Sequence, residues 1–307
     1  MEYYFGGTEA NVAISLSNFG NETQYITVVS DDFVGTAVKS YLKQLDVNTD
    51  AIVQLKHPLG LYFLEVGAVM RSSKISYNRL HSAFSKIKPE MVDWDVALEG
   101  ASWFHWTGIT PALTENAYLT LKEGLKKARG KGITISADPA YRKDLWNYGK
   151  EAKDVLKELV RYSHIFIGGV NEINELLGQN FPHDDEGFVE ASKTLMKEFP
   201  YLKKIADKTR DSLNANWHKI TSRMWDGNEL IKTKELDITH IVDRIGTGDA
   251  FAAGLIHGLR HYNDKKALSF ANAACAIKHT IEGDANLLME EDVLSVINGN
   301  TSGRIIR

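Results

Sequence analysis

The chain has 307 residues, 43% of them hydrophobic and 25% charged, and a formal net charge of −4. That balance supports a sizeable folded core, and the interspersed acids and bases exclude a basic stripe for nucleic acid or a polybasic membrane anchor. No apolar run approaches the roughly 18 residues of a membrane span, the opening MEYYFGGTEANVA lacks the regions of a signal peptide, and the single Cys275 rules out an internal disulfide and suits the reducing cytoplasm.

In chain order, TEANVAISLSNFGN places Val12, Leu16 and Phe19 on one helical face and stops at Gly20. QYITVV reads as a buried strand and TAVKSYLKQL as an amphipathic helix. From about 51 to 80, strands follow one another with little helix between them, in AIVQLK, GLYFLEV and KISYNRL. Strands in that sequence predict a small antiparallel sheet serving as a lid. SWFHWTGIT then reads as a strand, ENAYLTLKEGLKKARG as a helix and GITISADP as a strand, and EAKDVLKELVRY, HIFIGG and NEINELLG continue the alternation. Asp226-Gly227, between SRMW and ELIK, signals a hairpin. Alternating strands and helices predict an α/β fold, its mostly parallel sheet covered on both faces. In such sheets ligands bind beyond the carboxyl ends of the strands. The expected organisation is one domain over 1–307, with lid strands contributed by about 1–5 and 51–80.

Residues 243–254 read DRIGTGDAFAAG. Helical periodicity begins after Gly248, with Phe251, Leu255, Ile256 and Leu259 on one face, so Gly246, Thr247 and Gly248 fall at a helix start. The first amides of a helix have no partner within it and, aligned with the helix dipole, form an anion pocket. Asp249 then stands in the first turn, where a carboxylate can take a proton from a nucleophilic hydroxyl. The small residues Ala250, Ala252, Ala253 and Gly254 predict close packing of this helix against the sheet. The stretch reads either as an acid-capped turn or as a phosphoryl-transfer centre. No P-loop and no protein-kinase signature is present. His105 in WFHW has no second ligand at metal spacing, so no structural metal is expected.

The pattern D-x-x-G-x-G-D followed by small residues resembles the signature of the ribokinase-like (PfkB) carbohydrate kinases. Gly6-Gly7-Thr8-Glu9-Ala10-Asn11 resembles that family's second signature, a Gly-Gly pair shortly before a helical Asn. GLYFLEVG at 60–67, YNRLHSAFS at 77–85, WFHWTGITPALT at 103–114, DPAYRKDLW at 138–146, RDSLNANW at 210–217, KHTIEGDANL at 278–287 and the closing SGRIIR are similar to one branch, the 2-keto-3-deoxygluconate kinases. The resemblance therefore covers nearly the whole chain. It implies a ribokinase-like fold with a small β lid, and transfer of the ATP γ-phosphoryl, with Mg²⁺, to a hydroxyl of 2-keto-3-deoxygluconate.

Carried over residue by residue, the resemblance implies Asp249 as base and Gly246, Thr247 and Gly248 as the anion hole. It puts Gly6, Gly7, Asn11 and Asp284 at the sugar, with Tyr62, Tyr77 and Arg79 lining the pocket. Tyr77 and Arg79 lie two apart on a strand and share a face. Arg142 would reach the sugar's carboxylate, a task that suits the planar guanidinium fork. Asn171, Lys208, Arg210 and Ser212 are implied on the nucleotide side. Asp243 reads equally as a turn-former or as part of a monovalent-cation site. A homo-oligomer through the lid is expected, since an exposed sheet edge seeks a partner. A fructokinase- or ribokinase-type activity, or a sugar-binding protein impaired in catalysis, stand as alternatives.

Three departures accompany the resemblance. The family opens with an interior strand ahead of Gly-Gly that this sequence does not contain, and its absence would leave strand edges open. The family's N-x-x-E element, associated with Mg²⁺, here has Asn174 in place of the acid, with Glu172 and Glu175 to either side. Thr247 stands where a smaller residue is usual, a change that a turn acting through backbone N–H tolerates.

Overall fold

The computed structural model describes residues 2–141, 145–301 and 303. Runs rich in β-branched residues form the first parallel strands, as their pleat-filling shapes favour. Thr23–Gln24 (β1), Thr27–Ser30 (β2), Val47–Asn48 (β3) and Ile52–Leu55 (β4) come first, and β1 pairs with β3 and β2 with β4, both parallel. Leu61–Glu65 (β5) and Lys74–Asn78 (β6) form an antiparallel pair. Trp103–Thr107 (β7), Thr134–Asp138 (β8), Ile165–Ile167 (β9) and Lys204–Asn214 (β10) lie side by side in parallel. Trp217–Trp225 (β11) returns antiparallel to β10, and Leu230–Lys232 (β12) and Leu236–Ile238 (β13) both pair with it. The Asp226-Gly227 turn closes the β11–β12 hairpin, with Gly227 at φ 98°.

Neighbouring residues on one strand face opposite sides of a sheet. Accordingly Phe166 joins a core under the helices Glu115–Gly130, Ala152–Val160 and Asp185–Glu198, while Ile165 and Ile167 join a second core under Thr8–Asn18, Thr247–His261 and Asp264–Lys278. This is the expected α/β sheet with helices on both faces. Of the small residues expected against the sheet, Ala252 and Ala253 lie in a core shared with Ile165, Ile167 and Ala206 of the strands, while Gly254 meets the neighbouring helix. A Cβ on Gly254 would stand 2.9 Å from the Cα of Ala271, and one on Gly258 would stand 2.6 Å from that of Ala267. These two glycines admit the neighbouring helix. No helix among the described residues is long and apolar enough to cross a membrane.

The lid is smaller than the sequence suggests. Only β5 and β6 form it: Ile52–Leu55 pairs with β2 in the body, and residues 2–7 carry no strand. Val53 and Leu55 pack against the core, so burial draws that segment inward. The latch at the lid's far end is a loop, in which Val69 exchanges hydrogen bonds with the tip of the β10–β11 ribbon, Val69 N–H to Asn216 Oδ1 (2.7 Å) and Ala215 N–H to Val69 O (2.8 Å).

Among the described residues, strand β7 has a neighbour only in β8, and β2 only in β4. Between these two edges runs a cavity of about 2400 Å³, with Val28 and Val29 on one wall and Phe104 and Trp106 on another. The Nε2 of His105 and the indole N–H of Trp94 are buried there with no protein partner. His105 is a strand residue as expected, its Nδ1 2.8 Å from Ser136 Oγ, and burial pushes its pKa down to about 4. A strand bonded on one side protects only half of its amides. Hydrogen exchange should therefore be markedly faster over β7 than over β8, which has strands on both sides; equal protection would show the β7 edge to be covered.

Candidate active site

The helix Thr247–His261 starts at Gly246, whose φ of 72° lies in the left-handed region that glycine adopts without strain. The first helical bond is Ala250 N–H to Gly246 O at 2.8 Å. Among the described residues the amides of Thr247, Gly248 and Asp249 make no hydrogen bond within the protein, and all three residues line the cavity. Ile245 N–H is instead satisfied by Asp243 Oδ1 at 2.9 Å, and Thr247 Oγ1 donates to Arg244 O at 3.1 Å. The turn is thus fixed from behind and open in front, toward the carboxyl ends of β7 to β10.

Asp249 lines the cavity, mostly enclosed by the surrounding protein. Burial pushes its pKa up to about 7; the hydrogen bond from Asn11 and the charge of Lys208 oppose that rise, and Asp138 and Glu9 add to it. The Asn11 amide donates to Asp249 Oδ2 at 2.7 Å, and its own Oδ1 is buried without a partner. Asp284 is a second buried acid, held by Tyr62 O–H at 2.5 Å. Burial moves it above the usual carboxylate range, against hydrogen bonds from Tyr62 and Asn11. Gly6 passes so close to Asp284 that a Cβ would meet Oδ2 at 2.1 Å, and Gly7 has φ 142°, so both glycines are required by geometry.

The lid closes the other side. Tyr62 and Tyr77 are paired across β5 and β6 with ring centres 6.5 Å apart, and the Arg79 guanidinium lies 4.4 Å from the Tyr77 ring centre. Arg244, within the signature turn, donates to Ser73 Oγ at the base of β6. On the remaining side, Lys208 Nζ is so near Gly248 that a Cβ there would stand 2.9 Å from it. Arg210 and Asn171 line the same cavity.

One cavity therefore gathers Gly6, Gly7, Asn11, Tyr62, Tyr77, Arg79, Asn171, Lys208, Arg210, Asp243, Gly246, Thr247, Gly248, Asp249 and Asp284. Ser212 does not line it; it lies exposed on the outer half of β10. The strand has by then run past the body of the sheet, so residue 212 is carried beyond the site. Arg142 lies outside the described residues. Near Asn171, Glu172 accepts from Gly169 N–H at 2.9 Å and so caps its own helix. Asn174 folds back on Phe181, accepting from its N–H at 2.8 Å and donating to its carbonyl at 3.2 Å. Asp207, beside Gly169, is held by Arg223 at 3.3 Å, and burial pushes its pKa up to about 6.

Sequence reasoning missed Glu9, Arg244 and Lys278. Glu9 accepts from Thr107 Oγ1 (2.7 Å) and Thr110 Oγ1 (2.8 Å), joining the helix Thr8–Asn18 to the end of β7. For Lys278 a signal existed: a lysine on the apolar face of ANAACAIKH. Arg244 had none beyond its place in the turn.

The pfkB family carbohydrate kinase profile matches residues 1–291. A protein named 2-dehydro-3-deoxygalactonokinase from Haloferax volcanii is 26% identical over 304 residues, 99% of this chain and 90% of that one. The 2-dehydro-3-deoxygluconokinase of Bacillus subtilis is 27% identical over 292 residues, 94% of this chain and 85% of its own. The crystal structure of 2-dehydro-3-deoxygluconokinase from Thermotoga maritima superposes with a TM-score of 0.91 at 35% identity, covering 96% of this chain and 90% of that one.

The Asn11–Asp249 hydrogen bond favours the ionised carboxylate. Removing it raises the Asp249 pKa from about 7, so any activity that needs Asp249 ionised moves its acid limb to higher pH. For Asn11→Ala the limb should shift by on the order of one pH unit, given the worth of a charged hydrogen bond. A pH profile of kcat/KM that keeps its midpoint in this variant would contradict the assignment.

Proposed function

The chain belongs to the pfkB family of carbohydrate kinases, and from that premise we propose that it transfers the γ-phosphoryl of ATP to a hydroxyl of 2-keto-3-deoxygluconate. The reading treats 1–307 as one kinase domain with its lid. The observation that carries the acidic-sugar part is Arg79. It faces the cavity beside Tyr62 and Tyr77, and no described carboxylate of the protein lies within 4.0 Å of it. A cavity cation without a protein counter-ion suits a substrate carboxylate. Arg142 would join it.

In this reading the sugar hydroxyl approaches Asp249, which takes its proton. The hydroxyl oxygen bonds to the γ-phosphorus as the bond to the bridging oxygen of ADP breaks. The amides of Thr247, Gly248 and Asp249 gather the equatorial oxygens of the moving group, a fixed array of donors where charge develops. Lys208 adds a charge on the same side, and the lid limits access of water. With a pKa of about 7, Asp249 is poised to accept a proton near neutrality.

Among the described residues no three His, Cys, Asp or Glu side chains cluster to hold a metal. That fits Mg²⁺, which takes one or two protein carboxylates and is otherwise held by phosphate and water oxygens. Glu172 and Asp207 are the carboxylates lining the nucleotide side and would hold it there. When bound, the ion offsets phosphate charge. A second reading, sugar binding without turnover, is favoured by Asn174, which stands where an acid is expected and turns to Phe181.

Replacing Asp249 with Asn should lower kcat by about a hundred- to ten-thousand-fold while leaving sugar and ATP binding by calorimetry near normal; an active variant removes Asp249 as the base. Arg79→Ala should raise KM for the keto-deoxy acid and leave that for a neutral sugar such as fructose unchanged. Coupled ADP release on 2-keto-3-deoxygluconate, its galacto epimer and fructose tests the acceptor, and sugar binding with no ADP release would favour the second reading.

The outward face of β5 exposes Leu61 and Phe63. Pairing of two lids through this face would bury them, and a dimer by light scattering that Phe63→Glu converts to monomer is the expected outcome. A monomer at micromolar concentration before any substitution would dismiss it.

A further inference from the structure

Lys278 ends the helix Asp264–Lys278 and is 0% exposed. Burying an ammonium is costly unless its charge and its donors are met. Its Nζ donates to the carbonyls of Ile281 (2.9 Å) and Gly283 (2.8 Å), and no described carboxylate lies within 4.0 Å. It is therefore held by main-chain oxygens, as an alkali cation would be. Three acids surround it at longer range: burial lowers its pKa, while Asp243, Asp284 and Asp249 favour its charged form.

Its position relative to the signature turn is close. Gly283 is gripped at both ends of its backbone, its N–H donating to Asp243 Oδ2 (3.0 Å) and its carbonyl accepting from Lys278. Asp243 Oδ1 in turn accepts from Ile245 N–H. A Cβ placed on Gly246 would stand 2.0 Å from the carbonyl oxygen of Asp284 and 3.5 Å from Lys278 Cε. The lysine stem thus lies directly behind the turn whose amides face the cavity.

We propose that the buried ammonium of Lys278 is a built-in counter-ion for the anion-binding turn, occupying with its donors the carbonyls beside Asp243 that a monovalent cation would otherwise need. Two consequences are linked. The charge raises the positive potential at the amides of Thr247 to Asp249, most strongly in a site closed from water. The same donors fix the 281–284 loop that carries Asp284. Lys278 is thus a positioning residue, acting through the turn. The inference rests on the reading of that turn as the phosphoryl site, but its cation part can be read without catalysis.

Melting temperature and, separately, kcat would be measured at constant ionic strength in potassium, sodium, ammonium and tetramethylammonium chloride, for the unmodified chain and for Lys278→Ala and Lys278→Met. The unmodified chain should show no difference among the four salts beyond about twofold in kcat, and no cation-specific melting shift. Lys278→Ala should melt lower and lose at least tenfold in kcat in tetramethylammonium, and potassium or ammonium should restore both in a saturable way. Lys278→Met, which fills the space, should lose both without restoration. A saturable potassium effect on the unmodified chain overturns the proposal. So does a Lys278→Ala chain that matches it in tetramethylammonium, or one whose loss no monovalent cation relieves. If the chain phosphorylates no sugar, the kinase reading fails, while the melting series still decides the cation role.

Discussion

The site depends on a contact between two stretches of backbone. Gly246 lies against the carbonyl of Asp284 with no room for a Cβ, in a left-handed conformation that leaves the next three amides pointing away from that contact. Any other residue would push the turn off the 281–284 loop. With the turn would go the alignment of the amides, the Asp243 bridge and the place of Asp284. Two segments forty residues apart in sequence are thereby made one rigid support, and the helix beginning at Thr247 inherits its direction from it.

Electrostatics works on that support from several sides. Asp249, Asp284 and Asp243 converge on the cavity while Lys208, Arg210, Arg244 and Lys278 approach it from the β10 side, the lid side and below. Burial would favour neutral carboxyls, and neighbouring donors and cations oppose it. Asp249 and Asp284 are both raised by burial, and each is held by a different donor, an amide for Asp249 and a phenol for Asp284. Carboxylates with distinct environments allow distinct tasks in one cleft.

Much of this was legible in the sequence because it rests on local pattern. The helix at 247–261, the alternation from SWFHW to NEINELL and the Asp226-Gly227 hairpin each follow from periodicity or turn chemistry within a few residues. What failed to show was long-range. Pairing of AIVQLK with β2 rather than with the lid depends on which apolar face finds the core, and alternation alone cannot choose the partner strand. Gly254 and Gly258 face a helix, not the sheet, because small residues mark a close approach without naming what approaches. Ser212 shares a strand with Lys208 and Arg210, yet a strand advances about 3.3 Å per residue, so a few positions separate a cavity wall from open surface. The N-x-x-E departure likewise resolves only in space, where Glu172 turns back to cap Gly169 and Asn174 turns toward Phe181.

The cleft between β2 and β7 has a mechanical consequence. Among the described residues no strand pairing ties β2 or β4 to the main sheet. The β2–β4 unit is held to it by side-chain packing, with Val28, Val53 and Leu55 against the main core. Contacts of that kind give way more readily than a hydrogen-bonded ladder, so the seam is where the molecule would yield first.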